Sequence, residues 1–195
     1  MRKTLLTVLV VLNSAGAAVA QDFEEGAAAY RQGDYANALL DWQPLAEAGN
    51  AGATTMIGLM TAYGRGLPQD HEEAVRLYRL AIELGDTLAI ELLGTMYRNG
   101  WGVPKDIIEA LRLYRLAAVQ GNTDALYWLG KGYEDGVGIP QDLNSAHMWF
   151  NIACSRAFSF CSDRDRVADN MTPSDVAESQ KRARICVQSD FEDCG

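Results

Sequence analysis

The stretch AIELLGTMYRNGWGVPKDIIEALRLYRLAAVQG, Ala89–Gly121, decides the fold. Ala89, Leu92, Leu93, Met96 and Tyr97 recur at three- and four-residue spacing, the period of a helix with one apolar face. Gly100 and Gly102 adopt positive φ at little cost and so end that helix. Pro104, which lacks an N–H, keeps it from resuming. Asp106 then stands where a carboxylate caps the exposed N–H groups of a second helix, and Glu109, three residues on, fits a capping box. Ile107, Ala110, Leu111, Tyr114, Ala117 and Ala118 form the buried stripe of that helix. The stretch is an antiparallel helix pair.

The pair repeats with a period of 36 residues. Residues 50–85 match 86–121 at 16 positions, and 86–121 match 122–157 at 11. Positions held in all three units include Gly58/Gly94/Gly130, Gly64/Gly100/Gly136, Pro68/Pro104/Pro140, Asp70/Asp106/Asp142 and Ala74/Ala110/Ala146. Such a period means stacked supersecondary units that bury their apolar faces on one another. Glycine and alanine recur where two helices approach closely. Asp70, Asp106 and Asp142 read as helix caps rather than calcium ligands, because they sit 36 residues apart, each beside a helix start.

The motif A-x-x-x-L-G-x-x-Y-x-x-G-x-G-V-P-x-D-x-x-x-A-L-x-L-Y-x-x-A-A-x-x-G, read over Ala89–Gly121, resembles the Sel-1-like repeat (SLR) family, relatives of tetratricopeptide repeats. Ile57 and Thr61 in the first unit and Ala157 in the third depart from it mildly. The resemblance implies an all-α fold, a right-handed α-solenoid of antiparallel helix pairs. It also implies a scaffolding role in signalling, envelope biology or host contact. Some cysteine-rich secreted members bind or hydrolyse β-lactams, but the repeats here lack the recurrent cysteine pairs of that subgroup. MTPSDVAESQKRAR, Met171–Arg184, resembles the tail that covers the open end of many bacterial arrays of this kind.

Outward from the array, 21–49 reads as a divergent helical pair: Ala38, Trp42 and Gly49 lie 36 residues before Ala74, Tyr78 and Gly85. Its turn, Arg31–Asp34, is shorter than the G-x-G loop. Terminal units of solenoids are often atypical, because one face meets water. Residues 158–195 are expected to form a C-terminal helical cap, with helical composition over 163–171 and 174–186 and Thr172 or Ser174 as a cap residue.

Residues 1–20 carry Arg2 and Lys3, an apolar run from Leu5 to Leu12, and Ala18-Val19-Ala20. That pattern is a secretory leader cut between Ala20 and Gln21, with an uncleaved anchor as the alternative. Its loss takes the net charge from −9 to −11, which repels phosphate backbones and anionic lipid. The mature chain is expected to have no membrane span, to bind no nucleic acid and to be a monomer in the periplasm or secreted. Cys154, Cys161, Cys186 and Cys194 follow the array, an even number that reads as disulfides behind a leader. Of three connectivities, Cys154–Cys161 with Cys186–Cys194 is favoured over the crossed arrangement. Zinc is disfavoured by the separations of seven and eight residues.

No hydrolase, zincin, phosphate-loop or dinucleotide motif occurs, His71 and His147 do not correspond under the repeat, and neither cofactor nor metal is expected. The remaining class is binding of a protein or peptide. A groove lined by the first helices should vary from unit to unit where the scaffold does not. Those positions are Thr55/Glu91/Tyr127, Leu59/Thr95/Lys131, Ala62/Arg98/Glu134 and, in the loop, Arg65/Trp101/Val137. Trp101 and Tyr127 are candidate anchors, since aromatic side chains bury much area at low entropy cost.

Overall fold

The computed structural model describes residues 22–194, and every regular element among them is helical. The leader and the cut at Ala20–Gln21 lie outside the described residues. The chain divides into two compact units between Asp86 and Thr87.

The first unit holds α1 (22–31), α2 (Tyr35–Glu47), α3 (Ala51–Tyr63) and α4 (His71–Glu83), with α2 on α3 and α3 on α4. The second holds α5 (Leu88–Asn99), α6 (Ile107–Val119), α7 (Thr123–Asp135), α8 (Leu143–Arg156), α9 (Cys161–Ala168) and α10 (Pro173–Gln188). There each of α5 to α8 packs on the next, and α8 also receives α9 and α10.

One contact organises each helix pair. A glycine on the first helix lies under an aromatic ring on the second. A Cβ on Gly94 would stand 2.8 Å from the Tyr114 ring, one on Gly58 2.9 Å from Tyr78, and one on Gly130 2.7 Å from Phe150. Those residues are 20 positions apart. In the N-terminal pair a Cβ on Gly26 would stand 2.6 Å from Trp42, only 16 positions away. The missing four positions are the shortened turn: residues 32–34 there, against 64–70 in the first repeat. Trp42 is fully buried, and its Nε1 donates to the Phe23 carbonyl at 3.1 Å.

The loops follow the same economy. Gly64, Gly100 and Gly136 end their helices at φ of 65°, 73° and 62°, where a Cβ would be crowded. Asp70, Asp106 and Asp142 accept from backbone N–H groups of the following helix. The capping boxes expected at Glu73 and Glu109 do not close. Each aspartate N–H donates instead to a carbonyl of the first helix, at 3.0 Å to Thr61 for Asp70 and to Tyr97 for Asp106. With that donor used, Glu73 and Glu109 turn along the helix and clamp Arg76 and Arg112.

At the C-terminal end, Cys154 and Cys161 stand at disulfide distance across the α8–α9 corner, and Cys186 and Cys194 across the end of α10. Thr172 caps α10, accepting from the Asp175 N–H, and Pro173 takes the first helical position. The second loop turns Phe191 back at φ 68° to stack on Trp149 of α8, ring centroids 6.4 Å apart. Arg156 lies over the Phe191 ring, 5.3 Å from its centroid.

Candidate functional site

In the second unit, α5, α6 and α7 enclose a cleft of about 270 Å³. Its walls combine Arg98, Lys105, Lys131 and Asp135 with Leu111, Tyr114 and Trp128. The α5–α6 loop brings Lys105 to one lip, and the G-x-G loop after α7 brings Val137 to the other. The Arg98 guanidinium sits 3.5 Å from the centre of the Trp128 indole, a cation–π stack bridging α5 and α7.

Behind the stack lies a chain of three polar groups. The Thr95 hydroxyl donates to Glu91 Oε1 at 3.2 Å. Its single hydrogen is thereby used, so Tyr114 is the donor in the 3.1 Å contact between the two hydroxyls. Burial pushes the Glu91 carboxyl above its ordinary value; Asp124 adds to this, and the Thr95 bond opposes it. Burial likewise pushes the Tyr114 phenol up to about 12. The phenol therefore keeps its proton at neutral pH. The lip is a cation on an aromatic plane, which suits recognition of a partner group rather than proton transfer.

Lys131 donates to Glu134 and Asp135 at 2.9 Å each. Arg166 of α9 also clamps Glu134, with a second contact at 3.1 Å, and holds that carboxyl below its ordinary value. The charged edge of α7 is thus fastened to the cap.

The structure distributes the sequence-selected positions unevenly. Arg98 and Lys131 line the cleft, Glu91 and Thr95 form its polar backing, and Glu134 adjoins it through Lys131. Tyr127 points into the cap instead, its ring 5.7 Å from that of Phe150 and 5.3 Å from that of Phe160. It packs on the cluster of Ala146, Phe150 and Val167. Trp101 is half-buried in its loop. Thr55 and Leu59 belong to α3 in the first unit, where Thr55 is fully buried and hydrogen-bonded to Asp86. Arg65 lies against Tyr30, Tyr35 and Tyr63 of that unit, within 6.0 Å of each ring centre.

Two residues that make the cleft escaped the sequence reading. Trp128 occupies the place of Met56 and Leu92, so it passes for scaffold. Tyr114 recurs as Tyr78 and Phe150, and its polar partner, Thr95, is 19 residues away. The useful signal was size: a tryptophan where the other units carry Met and Leu.

A serine and a histidine do meet. Ser179 Oγ and His147 Nδ1 are 2.7 Å apart between α10 and α8. The Ser179 hydroxyl donates to the Val176 carbonyl, so the imidazole N–H is the donor between them. His147 is 1% exposed and Ser179 0%. A pair sealed in this way fastens α10 to α8 and gives no substrate access to a nucleophile.

Among known proteins, a family model described as Sel1 repeat matches residues 51–86, 87–122 and 123–158, offset by one residue from the periods drawn above. No curated protein matches the chain. A Sel1 repeat protein from Oxalobacter formigenes has a similar solved structure: TM-score 0.67 and 27% identity, over 88% of this chain and 75% of that one. A protective antigen of uropathogenic Escherichia coli strains, displaying an SLR fold, matches at TM-score 0.49 and 22% identity. That match covers 90% of this chain and 46% of the antigen.

Proposed function

The chain belongs to the Sel1 repeat family, an α-solenoid class of helix pairs, and on that premise we propose that it is an exported, non-catalytic adaptor that binds a partner protein. Repeats of this family suggest a protein-interaction scaffold. The cleft between α5, α6 and α7 is its binding site, taking an extended or helical segment of the partner. The observation that carries this reading is the Arg98–Trp128 stack at the lip of the cleft. Arginine and tryptophan are the side chains most often found to dominate interface energetics, and here each already restrains the other. A restrained lip loses less entropy when a partner arrives.

Export is supported by the sequence of residues 1–20 and by cysteines that all stand in pairs at disulfide distance, among the described residues. No described helix is long and apolar enough to cross a membrane. The helix pair at 22–47 and the helices after residue 157 serve as the two ends of the array.

The test is capture of a partner from envelope extract by the purified full chain, beside a penicillin-hydrolysis assay on the same preparation. A discrete partner retained by the native chain and lost from Trp128→Ala and Arg98→Ala is the expected result. Robust β-lactam turnover abolished by one substitution would sink the adaptor reading. Capture indifferent to both cleft substitutions would sink the assignment of the site.

A further inference from the structure

The second helices of the first two repeats are near copies, HEEAVRLYRLAIE in α4 and IIEALRLYRLAAV in α6. Two of their five differences fall on the water-facing side. Where α4 exposes Glu72 and Glu83, α6 carries Ile108 and Val119, which are 67% and 48% exposed. At 3.6 residues per turn, Ile108, Arg112, Arg115 and Val119 share an arc of about 60°. One outer stripe therefore exchanges two carboxylates for two aliphatic side chains and keeps its arginines.

Beside the stripe, α6, α7 and α8 leave a groove of about 350 Å³, with Tyr133, Ile139, Pro140 and Trp149 in its walls. None of the groove's lining residues is acidic, in a chain that carries 26 acidic and 17 basic residues. Arg112 is clamped by Glu109. Arg115 is half-buried, and its side chain has no hydrogen bond or ion pair among the described residues. An aliphatic surface beside an uncompensated guanidinium complements one chemistry: apolar side chains next to a carboxylate.

We propose that the outer face of α6 and its groove dock an acidic amphipathic helix of another protein, with aliphatic side chains in the groove and a carboxylate on Arg115. This surface shares Leu111 with the cleft but includes none of Arg98, Trp128 or Lys131. Helix α4 supplies the control, because it folds with glutamates at the two exchanged positions.

The probes are two fluorescein-labelled helical peptides with leucines on one face, and either glutamates or lysines on the other. Binding to the full chain is read by fluorescence anisotropy. The glutamate peptide is expected to bind, more weakly as salt rises, and the lysine peptide is expected not to. Ile108→Glu with Val119→Glu should keep helicity and melting temperature and weaken binding at least tenfold. Arg115→Gln should weaken it severalfold and flatten the salt dependence, whereas Trp128→Ala should leave it unchanged. Equal binding of the two peptides, or undiminished binding by the double glutamate variant, would overturn the proposal. So would loss of binding in Trp128→Ala alone, which would place the peptide in the cleft. Self-association of the chain that the double glutamate variant abolishes would also overturn it, by making a second copy the occupant.

Discussion

The first helices of the three repeats place different chemistry at matching positions. In α3 the set is Thr55 and Leu59 with Tyr78 behind; in α5 it is Glu91 and Thr95 with Tyr114; in α7 it is Tyr127 and Lys131 with Phe150. The first set buries a threonine on Asp86, the second makes a carboxyl–hydroxyl–phenol chain, and the third packs an aromatic into the cap. The backbone is served each time by the same few residues: a glycine under a ring, a glycine ending the first helix, an aspartate starting the second. Because those residues carry the turns and close approaches, the neighbouring positions are free to differ.

The broadest way to break this comparison is to ask whether the N-terminal pair, Gly26 under Trp42, is built as a repeat. Removing a fully buried large aromatic costs about 3–5 kcal/mol. Trp42→Ala and Tyr114→Ala should each lower stability by that amount in urea unfolding. A loss below about 1 kcal/mol for Trp42→Ala would mean that the pair only decorates the array.

The cap offers the next contrast, because cysteine pairs at disulfide distance and contacts such as Ser179–His147, rather than a repeated glycine and ring, hold it. Closing an eight- or nine-residue loop restrains the unfolded chain by about 2.5 kcal/mol in the chain-entropy account. Cys186→Ser with Cys194→Ser should cost about that much, and should also free Phe191 from Trp149, seen as a change in tryptophan fluorescence. The Cys154 and Cys161 double variant should cost a similar amount and leave that fluorescence unaltered.

Smaller effects separate the three capping aspartates. Asp70→Ala and Asp106→Ala each remove the acceptor of one backbone N–H, that of Glu73 or Glu109, and should cost about 1 kcal/mol. Asp142 accepts from two N–H groups and the Ser145 hydroxyl, so Asp142→Ala should cost more than either. Equal losses at all three would show that the extra bonds contribute little.

The finest contrast is in pH. His147 is held below its ordinary value by burial and then by Arg164, with Asp165 opposing. Its neutral form is the native one, so the unfolded chain binds the extra proton first. Stability is therefore complete above about pH 6.5 and falls as pH drops toward the lowered native value. His147→Gln should flatten that fall in urea midpoints taken between pH 7.5 and 5.5. Glu91 acts in the opposite sense. Its raised value makes the ionised form a burden, so the stability it allows is present below about pH 4.3 and is lost as pH rises. Glu91→Gln should leave stability at pH 7 unchanged or higher, and a clear loss there would mean that Thr95, Arg98 and Trp128 together favour the carboxylate more than burial disfavours it.

The helix pairs were legible because Gly100, Pro104 and Asp106 have local duties that a period of 36 residues displays three times. The N-terminal pair was legible at Trp42, but Gly26 was not, since the shortened turn moves it out of register. The cleft was half visible. Arg98, Lys131, Glu91 and Thr95 stood out by varying, while Trp128 and Tyr114 were hidden because each replaces one apolar or aromatic side chain by another. Tyr127 varies for a different reason: besides Phe150, whose counterparts are Tyr78 and Tyr114, it meets Phe160, which belongs to the segment after the last repeat. Variation marks departure from the scaffold, and only contacts across helices tell a binding lip from an interior join.

The most direct test of the central claim places a photo-crosslinking p-benzoylphenylalanine at Val137, which is 51% exposed at the cleft, in cells that make the full chain. A second chain carries it at Leu40, 70% exposed on α2. The account predicts a discrete protein adduct at Val137 that Trp128→Ala removes, and none at Leu40. Adducts at both positions, or an adduct at Val137 that persists in Trp128→Ala, would contradict it.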